Sequence, residues 1–343
     1  MRNQIMLEVR AVSATMVLKT PFHIAHGSST YRENVFLQIK YDNKISYGEA
    51  AIVPYYNVTK ELIMEDLKRT IKSAMIKRGQ ILEVVDLFSY SMSACAYTTA
   101  MLGLQEPKIS AEENSNEKRS SFTIAYTPDT QSLLDAIEHC GFSTIKLKAG
   151  FFDDVERIKL IRDRFPEIRI RLDANQGWSF KQACSNIEQL RDQRIELIEE
   201  PIAGSPQELN ILSSISDIPI ILDETVQTPE DLKRYADCVS GIVVKIAKSG
   251  GPQAARQLIL QAKEHNLDVL LSCMVESSLA VGTALSLEPL CRWVDLDGPL
   301  LILDDLFTGL SYVNELPVLS QKGLRPSQRL LDLFAKTMPF IQE

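Results

Sequence analysis

The sequence predicts an α/β fold, a (β/α)8-type barrel with a shortened last helix, preceded by a separate N-terminal α+β domain. Three observations predict it. From about residue 121 onward, eight short runs rich in β-branched residues (SFTIAYT, STIKLKAG, IRIRLDAN, IELIEEP, IPIILDET, GIVVKIAK, DVLLSCM and RWVDLDG) alternate with amphipathic stretches such as residues 153–165 and 251–265. The runs recur about every 25 residues, the length of one strand, one helix and two short loops. No Gly-x-Gly-x-x-Gly follows the first run, so the doubly wound alternative lacks its phosphate-binding turn.

The elements before the barrel follow a different rhythm. A strand near Met6–Leu18 precedes strands at Val35–Tyr41 and Ile45–Glu49, which the turn Asp42-Asn43-Lys44 joins. Helices are expected near Thr59–Lys77 and Val84–Leu104. The polar stretch Gln105–Ser120 reads as a linker, so the first domain is placed at 1–110 and the barrel at 121–309. After strand eight only DDLFTG remains for a last helix. The tail 310–343, punctuated by Pro317, Gly323 and Pro326, breaks the βα rhythm and is expected to pack back on the first domain or the barrel floor.

Composition narrows the function. With 45% hydrophobic and 24% charged residues, the 343-residue chain is an ordinary folded protein rather than a disordered or fibrous one. Its 37 basic and 45 acidic residues leave a net charge of −8, which argues against nucleic acid or an anionic membrane as the partner and favours a small molecule. An assembly of like chains stays open. Six scattered cysteines form no Cys-x-x-Cys pair, and no signal-peptide core follows Met1-Arg2-Asn3-Gln4, so a cytoplasmic location is expected. Four scattered histidines offer little for a histidine metal site or a catalytic triad. Carboxylates and lysines must carry the chemistry.

Those residues fall at the carboxyl ends of successive predicted strands. Lys146 and Lys148 lie on strand two, Asp173 and Asn175 on three, Glu199 and Glu200 on four, Asp223 and Glu224 on five, Lys245 on six, and Asp295 and Asp297 on eight. In a barrel this is the face where the βα loops open. Asp173, Glu199 and Asp223 place one carboxylate on each of three adjacent strands. Their mutual repulsion is relieved by a hard dication, and all-oxygen ligation favours Mg2+ over Zn2+. The plainer alternative is that some of them are ion-pair partners of Lys146 or Lys245. Lys148 and Lys245, four strands apart in a ring of eight, would then flank the site from opposite sides. That is the arrangement for taking a proton from one face of a carbon and returning one to the other. Neighbouring cations are expected to lower each lysine's pKa toward neutrality.

Taken in order, TIKLKAG, RLDANQGW, ELIEEP, IILDET, VVKIAKSGG and VDLDGP resemble the motifs of the enolase superfamily, in its muconate-lactonising-enzyme-like subgroup and most of all its dipeptide epimerases. The resemblance extends to PFHIAHGSS at 21–29 and GEA at 48–50, which it assigns to a capping domain. A lysine base with Mg2+ and an ene-diolate is a standard description of this superfamily. By this resemblance Asp173, Glu199 and Asp223 hold Mg2+, Lys148 and Lys245 are the two bases, and Lys146 stands near the substrate carboxylate. The Asp295-x-Asp297 pair marks dipeptide substrates and would hold their free α-ammonium. The implied activity is that of an isomerase, a Mg2+-dependent epimerase inverting the α-carbon beside a dipeptide's terminal carboxylate by two-base 1,1-proton transfer.

Two departures and several alternatives accompany it. Where an arginine is expected after Pro21-Phe22 in enzymes acting on Ala-Glu, the chain reads His23-Ile24-Ala25-His26-Gly27. With His26 as the substrate-facing residue, neutral or apolar dipeptides are expected to be preferred. The helix at 91–104 also lacks the acidic residue usual near its end. The same site would serve an o-succinylbenzoate synthase, an N-acylamino-acid racemase or a cycloisomerase. A Schiff-base lysine in an aldolase-type barrel, or a non-catalytic binding barrel, are the readings from other classes.

Overall fold

The structure, a computed structural model, describes residues 7–78, 87–105 and 118–342. The expected linker at Gln105–Ser120 and the start of the expected helix at Val84–Leu104 lie largely outside the described residues. The chain opens with three antiparallel strands, β1 (Leu7–Ile24), β2 (Gly27–Tyr41) and β3 (Lys44–Ala50), followed by helices α1 (Lys60–Arg78) and α2 (Ser91–Leu104). Strand β1 runs past the expected Leu18. After a bulge between Val17 and Phe22, residues 22–24 pair with 27–29, so most of PFHIAHGSS is the end of a hairpin. Asp42 takes a positive φ of 51° in the second hairpin turn, a conformation that Asn and Asp tolerate better than other side chains.

Helix α2 (SMSACAYTTAMLGL) has no polar face because it is wedged between this sheet and the rest of the chain. Small residues let it come close. A Cβ on Gly48 would stand 1.7 Å from the carbonyl oxygen of Ala96, so the contact of β3 with α2 requires glycine there. On its other side Thr98 donates a hydrogen bond to the carbonyl of Gly250 at 3.2 Å.

The remainder is the barrel. Eight parallel strands follow in ring order: β4 (Phe122–Ile124), β5 (Thr144–Lys148), β6 (Arg169–Asp173), β7 (Ile195–Glu199), β8 (Ile220–Leu222), β9 (Gly241–Val244), β10 (Asp268–Ser272) and β11 (Trp293–Asp295). The ring closes where Ser121 N–H donates to Val294 O at 3.2 Å. Between the strands run α3 (Thr130–Cys140), α4 (Asp154–Arg164), α5 (Phe180–Leu190), α6 (Pro206–Ile215), α7 (Pro229–Tyr235), α8 (Ile246–Ser249), α9 (Pro252–Glu264) and α10 (Ser278–Ala284). Side chains such as Ser179, Ser205 and Thr228 cap the first turns of α5, α6 and α7. The last helix is reduced to a 3-10 turn at Gly298–Leu301. Helix α11 (Gln328–Ala335) and the short strand Ile341–Gln342 return to β1, where Val9 pairs with Ile341. Among the described residues no helix is long and apolar enough to cross a membrane.

Strand alternation sorts the barrel residues into two environments. Ile145, Leu147, Ile170, Leu172, Ile198, Ile220, Leu222, Ile242 and Val244 point outward into the main apolar core under the helices. The alternate residues point inward. Leu197, Ile221, Val243, Leu270 and Trp293 fill the lower barrel as a separate apolar cluster. One strand period above Leu197, Ile221, Val243 and Trp293 stand Glu199, Asp223, Lys245 and Asp295, so the apolar plug floors this part of a charged cup, while Lys146 and Arg171 rise from the row of Leu197 itself.

Candidate active site

Register builds the site. Lys148 pairs laterally with Asp173, and Asp173 with Glu199, which sets the three in one row across β5, β6 and β7. Asp223 stands two residues beyond Ile221, the lateral partner of Glu199, and so returns to the same inward face. Asp295 pairs with Ser272 on the far wall. Asp173, Glu199 and Asp223 show no exposure at all, and Lys146, Lys148, Lys245, Asp295 and Asp297 are buried.

The ammonium groups sit among the carboxylates. Lys146 Nζ is at the centre, 2.8 Å from Glu199 Oε2 and 3.1 Å from both Asp173 Oδ2 and Asp295 Oδ2. Lys148 Nζ reaches Asp173 Oδ2 at 2.5 Å and Asn175 Oδ1 at 3.1 Å. Across the mouth, Lys245 Nζ donates to Asp223 Oδ2 at 2.6 Å. The other Asp223 oxygen accepts from Lys248, which also donates to the Asp223 carbonyl at 2.6 Å. The expected convergence of the three carboxylates on one point is therefore not what the structure shows. Among the described residues no three ligating side chains are gathered as a metal would gather them. The physical reason is local charge pairing, since each carboxylate turns to its nearest lysine. Glu199 is the exception. The Lys146 ammonium is close but off the hydrogen-bonding direction, and both Glu199 oxygens are buried without a hydrogen bond.

The charge balance follows. Burial would raise Asp173 and Asp223, but the lysines beside them outweigh it and hold both below the ordinary carboxylate range. Burial raises Glu199 well above that range, with Asp173 and Asp223 adding to the push. Burial opposes charge on Lys146 and Lys245 too, yet the surrounding carboxylates win and raise both above the usual lysine value. The expected lowering weighed the cations alone; at Lys245 the surrounding carboxylates act against it.

The two aspartates of strand eight are unlike each other. Asp295 accepts from Ser121 Oγ at 2.6 Å and Ser272 Oγ at 3.0 Å besides Lys146, and is held low despite burial. Asp297 accepts the Thr123 backbone N–H at 2.6 Å and has no ion-pair partner among the described residues. Burial and the charge of Asp295 push it up to about 7. Glu200 and Glu224 belong to the frame instead. Glu200, at a positive φ of 45°, accepts from the backbone N–H of Asp223 at 2.6 Å, and Glu224 accepts from Asn175 Nδ2 at 2.8 Å.

Above the cup lies a cavity of about 250 Å3. Its lower wall holds Lys146, Lys148, Asn175, Lys245, Asp295 and Asp297, and its roof is the β1–β2 hairpin with Val53 and Tyr55. His26 lines it with its ring stacked on Tyr55, centroids 5.6 Å apart. Arg32 of β2 lines it as well. Sequence reasoning missed Arg32 and Lys248. Lys248 sits one helical turn after Lys245 within the VVKIAKSGG run, a spacing that could have flagged it, whereas Arg32 enters only through hairpin register.

The sequence model of the enolase C-terminal domain-like family matches residues 130–308. The L-Ala-D/L-Glu epimerase of Bacteroides thetaiotaomicron is 30% identical over 317 residues, covering 87% of this chain and 81% of that one. Among solved structures, the substrate-liganded L-Ala-D/L-Glu epimerase of Bacillus subtilis superposes with a TM-score of 0.83 at 23% identity, over 94% of this chain and 98% of that one. The dipeptide epimerase of Enterococcus faecalis complexed with Mg and L-Leu-L-Tyr gives the same TM-score and identity over 94% of this chain and 99% of that one. On the family match and the near full-length similarity, this chain belongs to the enolase superfamily, in its muconate-lactonising-enzyme-like subgroup.

Proposed function

We propose that the protein is a Mg2+-dependent dipeptide epimerase that inverts the α-carbon beside the terminal carboxylate. The observation that carries this reading is the pair of lysines on opposite walls of one cavity, Lys148 on Asp173 and Lys245 on Asp223, with Glu199 between them. The names of the relatives above, and the Mg and dipeptide bound by the Enterococcus faecalis enzyme, support it.

Asp173, Glu199 and Asp223 are the residues that would hold Mg2+. They fit it. All are fully buried oxygen donors on adjacent strands, and the Glu199 carboxylate is left without a hydrogen bond, an arrangement that is costly unless a cation completes it. When bound there, the ion supplies positive charge to the oxygens of a substrate carboxylate whose α-proton is being removed. Lys146 adds its ammonium on the same side. One lysine takes the α-proton onto its Nζ, leaving an ene-diolate, and the opposite lysine delivers its own proton to the other face. Configuration inverts, and the two lysines exchange protonation states. Asp297, with no ion-pair partner among the described residues, would hold the substrate ammonium, with Asp295 beside it and His26 in the roof over the dipeptide. In this reading residues 1–110 with 310–343 form the cap and 121–309 the barrel. The free thiols, buried Cys95 and Cys291 among them, support a reducing, cytoplasmic setting.

The test is a screen of L,L-dipeptides in D2O with added Mg2+, read by mass spectrometry. The expected result is a one-unit mass gain with appearance of the epimer. No exchange into any dipeptide, with exchange into N-acylamino acids, would replace the reading with a racemase of N-acylamino acids. Borohydride trapping of substrate on a lysine would replace it with Schiff-base chemistry.

A further inference from the structure

We propose that Arg171 is a positioning residue for the reaction: through Ser121 it fixes the Asp295 carboxylate, and Asp295 in turn aims the Lys146 ammonium. The effect on rate rests on the epimerase reading above, whereas the relay itself is a property of the folded chain.

The place of Arg171 is the first observation. It is buried on β6 in the row of the apolar floor, with Leu197 and Lys146 as lateral partners. A guanidinium there is costly unless its donors are used. They are used on particular acceptors. Nε donates to Glu196 Oε2 at 2.6 Å, and Nη1 donates to the Val294 carbonyl at 2.6 Å and to Ser121 Oγ at 3.1 Å. Val294 stands beside Asp295 on β11 and Ser121 just before β4, so Arg171 ties together the two strands at which the barrel closes.

The second observation is the direction of the hydrogen bonds. A guanidinium only donates and an ionised carboxylate only accepts. Ser121 Oγ, which accepts from Arg171, therefore turns its single proton to Asp295 Oδ1, 2.6 Å away. With Ser272 Oγ donating to Oδ2 at 3.0 Å, the carboxylate is held from two sides. The third observation is the use to which Asp295 is put. Three carboxylates lie within ion-pair distance of Lys146 Nζ, but of these only Asp295 accepts a hydrogen bond from it, on Oδ2 at 3.1 Å. Asp295 thus sets where that ammonium points. Asp297 accepts only from Thr123 among the described residues, so the two aspartates divide the work, Asp295 serving Lys146 and Asp297 the substrate's ammonium.

The experiment measures kcat and KM for a free and an N-acetylated dipeptide in wild type, Ser121→Ala, Arg171→Met, Arg171→Lys and Asp297→Asn, and follows the lysine 15Nζ resonances by NMR. Ser121→Ala and Arg171→Met should each lower kcat by roughly a hundredfold, the scale on which a group misplaced by an ångström slows a reaction, and leave the kcat/KM ratio of free to acetylated substrate as in wild type. Asp297→Asn should erase that ratio through KM. Arg171→Lys should recover part of kcat, since an ammonium can still donate to Ser121 Oγ but lacks the fork that holds all three acceptors. The Lys146 resonance should move in Ser121→Ala while those of Lys148 and Lys245 stay. Unaltered kcat in Ser121→Ala overturns the proposal even if Arg171→Met does not fold. So does a loss of kcat in which the free-to-acetylated ratio falls as well, because Asp295 would then be reading the substrate. If no dipeptide turns over, the resonance decides: a shift confined to Lys146 leaves the relay standing and fails the epimerase reading, and no shift removes both.

Discussion

The barrel mouth and the cap line one cavity with different kinds of side chain. The mouth contributes lysines and carboxylates locked to one another at 2.5–3.1 Å and buried on strand ends. The cap contributes rings and one cation, Phe22, His26 and Arg32 on the β1–β2 hairpin and Tyr55 from the turn after β3. Strand ends in a closed barrel are held by hydrogen bonds on both sides and by the apolar plug beneath, so reacting groups there keep their geometry. A hairpin end has fewer constraints, and changes in it alter what is bound more than what is done. If that division is right, substitutions in the mouth should abolish turnover and substitutions in the cap should redistribute it among substrates.

The largest effect should come from removing the metal. Chelation should abolish turnover, with recovery on adding Mg2+ but not on adding buffer alone. Asp223→Asn should fail to bind Mg2+ in calorimetry while keeping the wild-type circular dichroism spectrum, because the packed floor lies one strand period below. Full activity of metal-free protein in excess EDTA would remove the mouth's three carboxylates from any ligand role.

Next are the bases. Lys148→Ala and Lys245→Ala should each lower epimerisation by about 10^3-fold, within the range for losing a positioned proton-transfer group. Each should still wash solvent deuterium into one substrate isomer, and the isomer should differ between the two variants. Near wild-type epimerisation by either variant ends the two-base scheme.

N-acetylation of the dipeptide should cost about a hundredfold in kcat/KM by leaving Asp297 without its cation. Equal turnover of acetylated and free dipeptides would mean that Asp297 does not read the ammonium.

The cap should also show itself in stability. Glu49 of β3 is buried where the cap meets the start of α10, accepting the Ser277 N–H at 3.1 Å and Asn34 Nδ2 at 2.8 Å. Burial, with Glu276 nearby, raises Glu49 to about 8, and burial raises Glu276 to about 7. Between the ordinary carboxylate value near 4.5 and these values, the folded state binds protons that the unfolded state has released. Stability should therefore fall as pH rises through this window. Glu49→Gln should flatten the slope of the urea midpoint between pH 5 and about 8. A slope unchanged by that substitution would show that the junction does not titrate.

The smallest effect is expected at His26. Its stack on Tyr55 is an exposed-edge ring contact, the kind worth about 1 kcal/mol. His26→Ala should change KM a few-fold and leave kcat nearly unaltered.

How much of this was legible beforehand depends on the kind of signal. The eight strands, their order and the inward residues Lys146, Lys148, Asp173, Glu199, Asp223, Lys245, Asp295 and Asp297 follow from local periodicity, because a parallel barrel repeats one unit and alternation alone assigns each residue a face. The same logic separates the apolar floor from the charged row above it. What periodicity cannot supply is pairing between distant segments. Whether Asp173 faces a lysine or another carboxylate depends on side-chain reach across β5 and β6, and the raised state of Lys146 follows from three carboxylates brought together from β6, β7 and β11. The hairpin end that brings Phe22 and Ile24 to the cavity depends on a bulge between Val17 and Phe22, which no alternation pattern announces. Sequence thus determined the barrel and the chemical kinds of group at its mouth. Tertiary structure alone decided which charges neutralise one another and which cavity-lining groups, such as Asp297, have no ion-pair partner among the described residues, because Coulombic pairing depends on separation in space and burial, neither of which is encoded in any one segment.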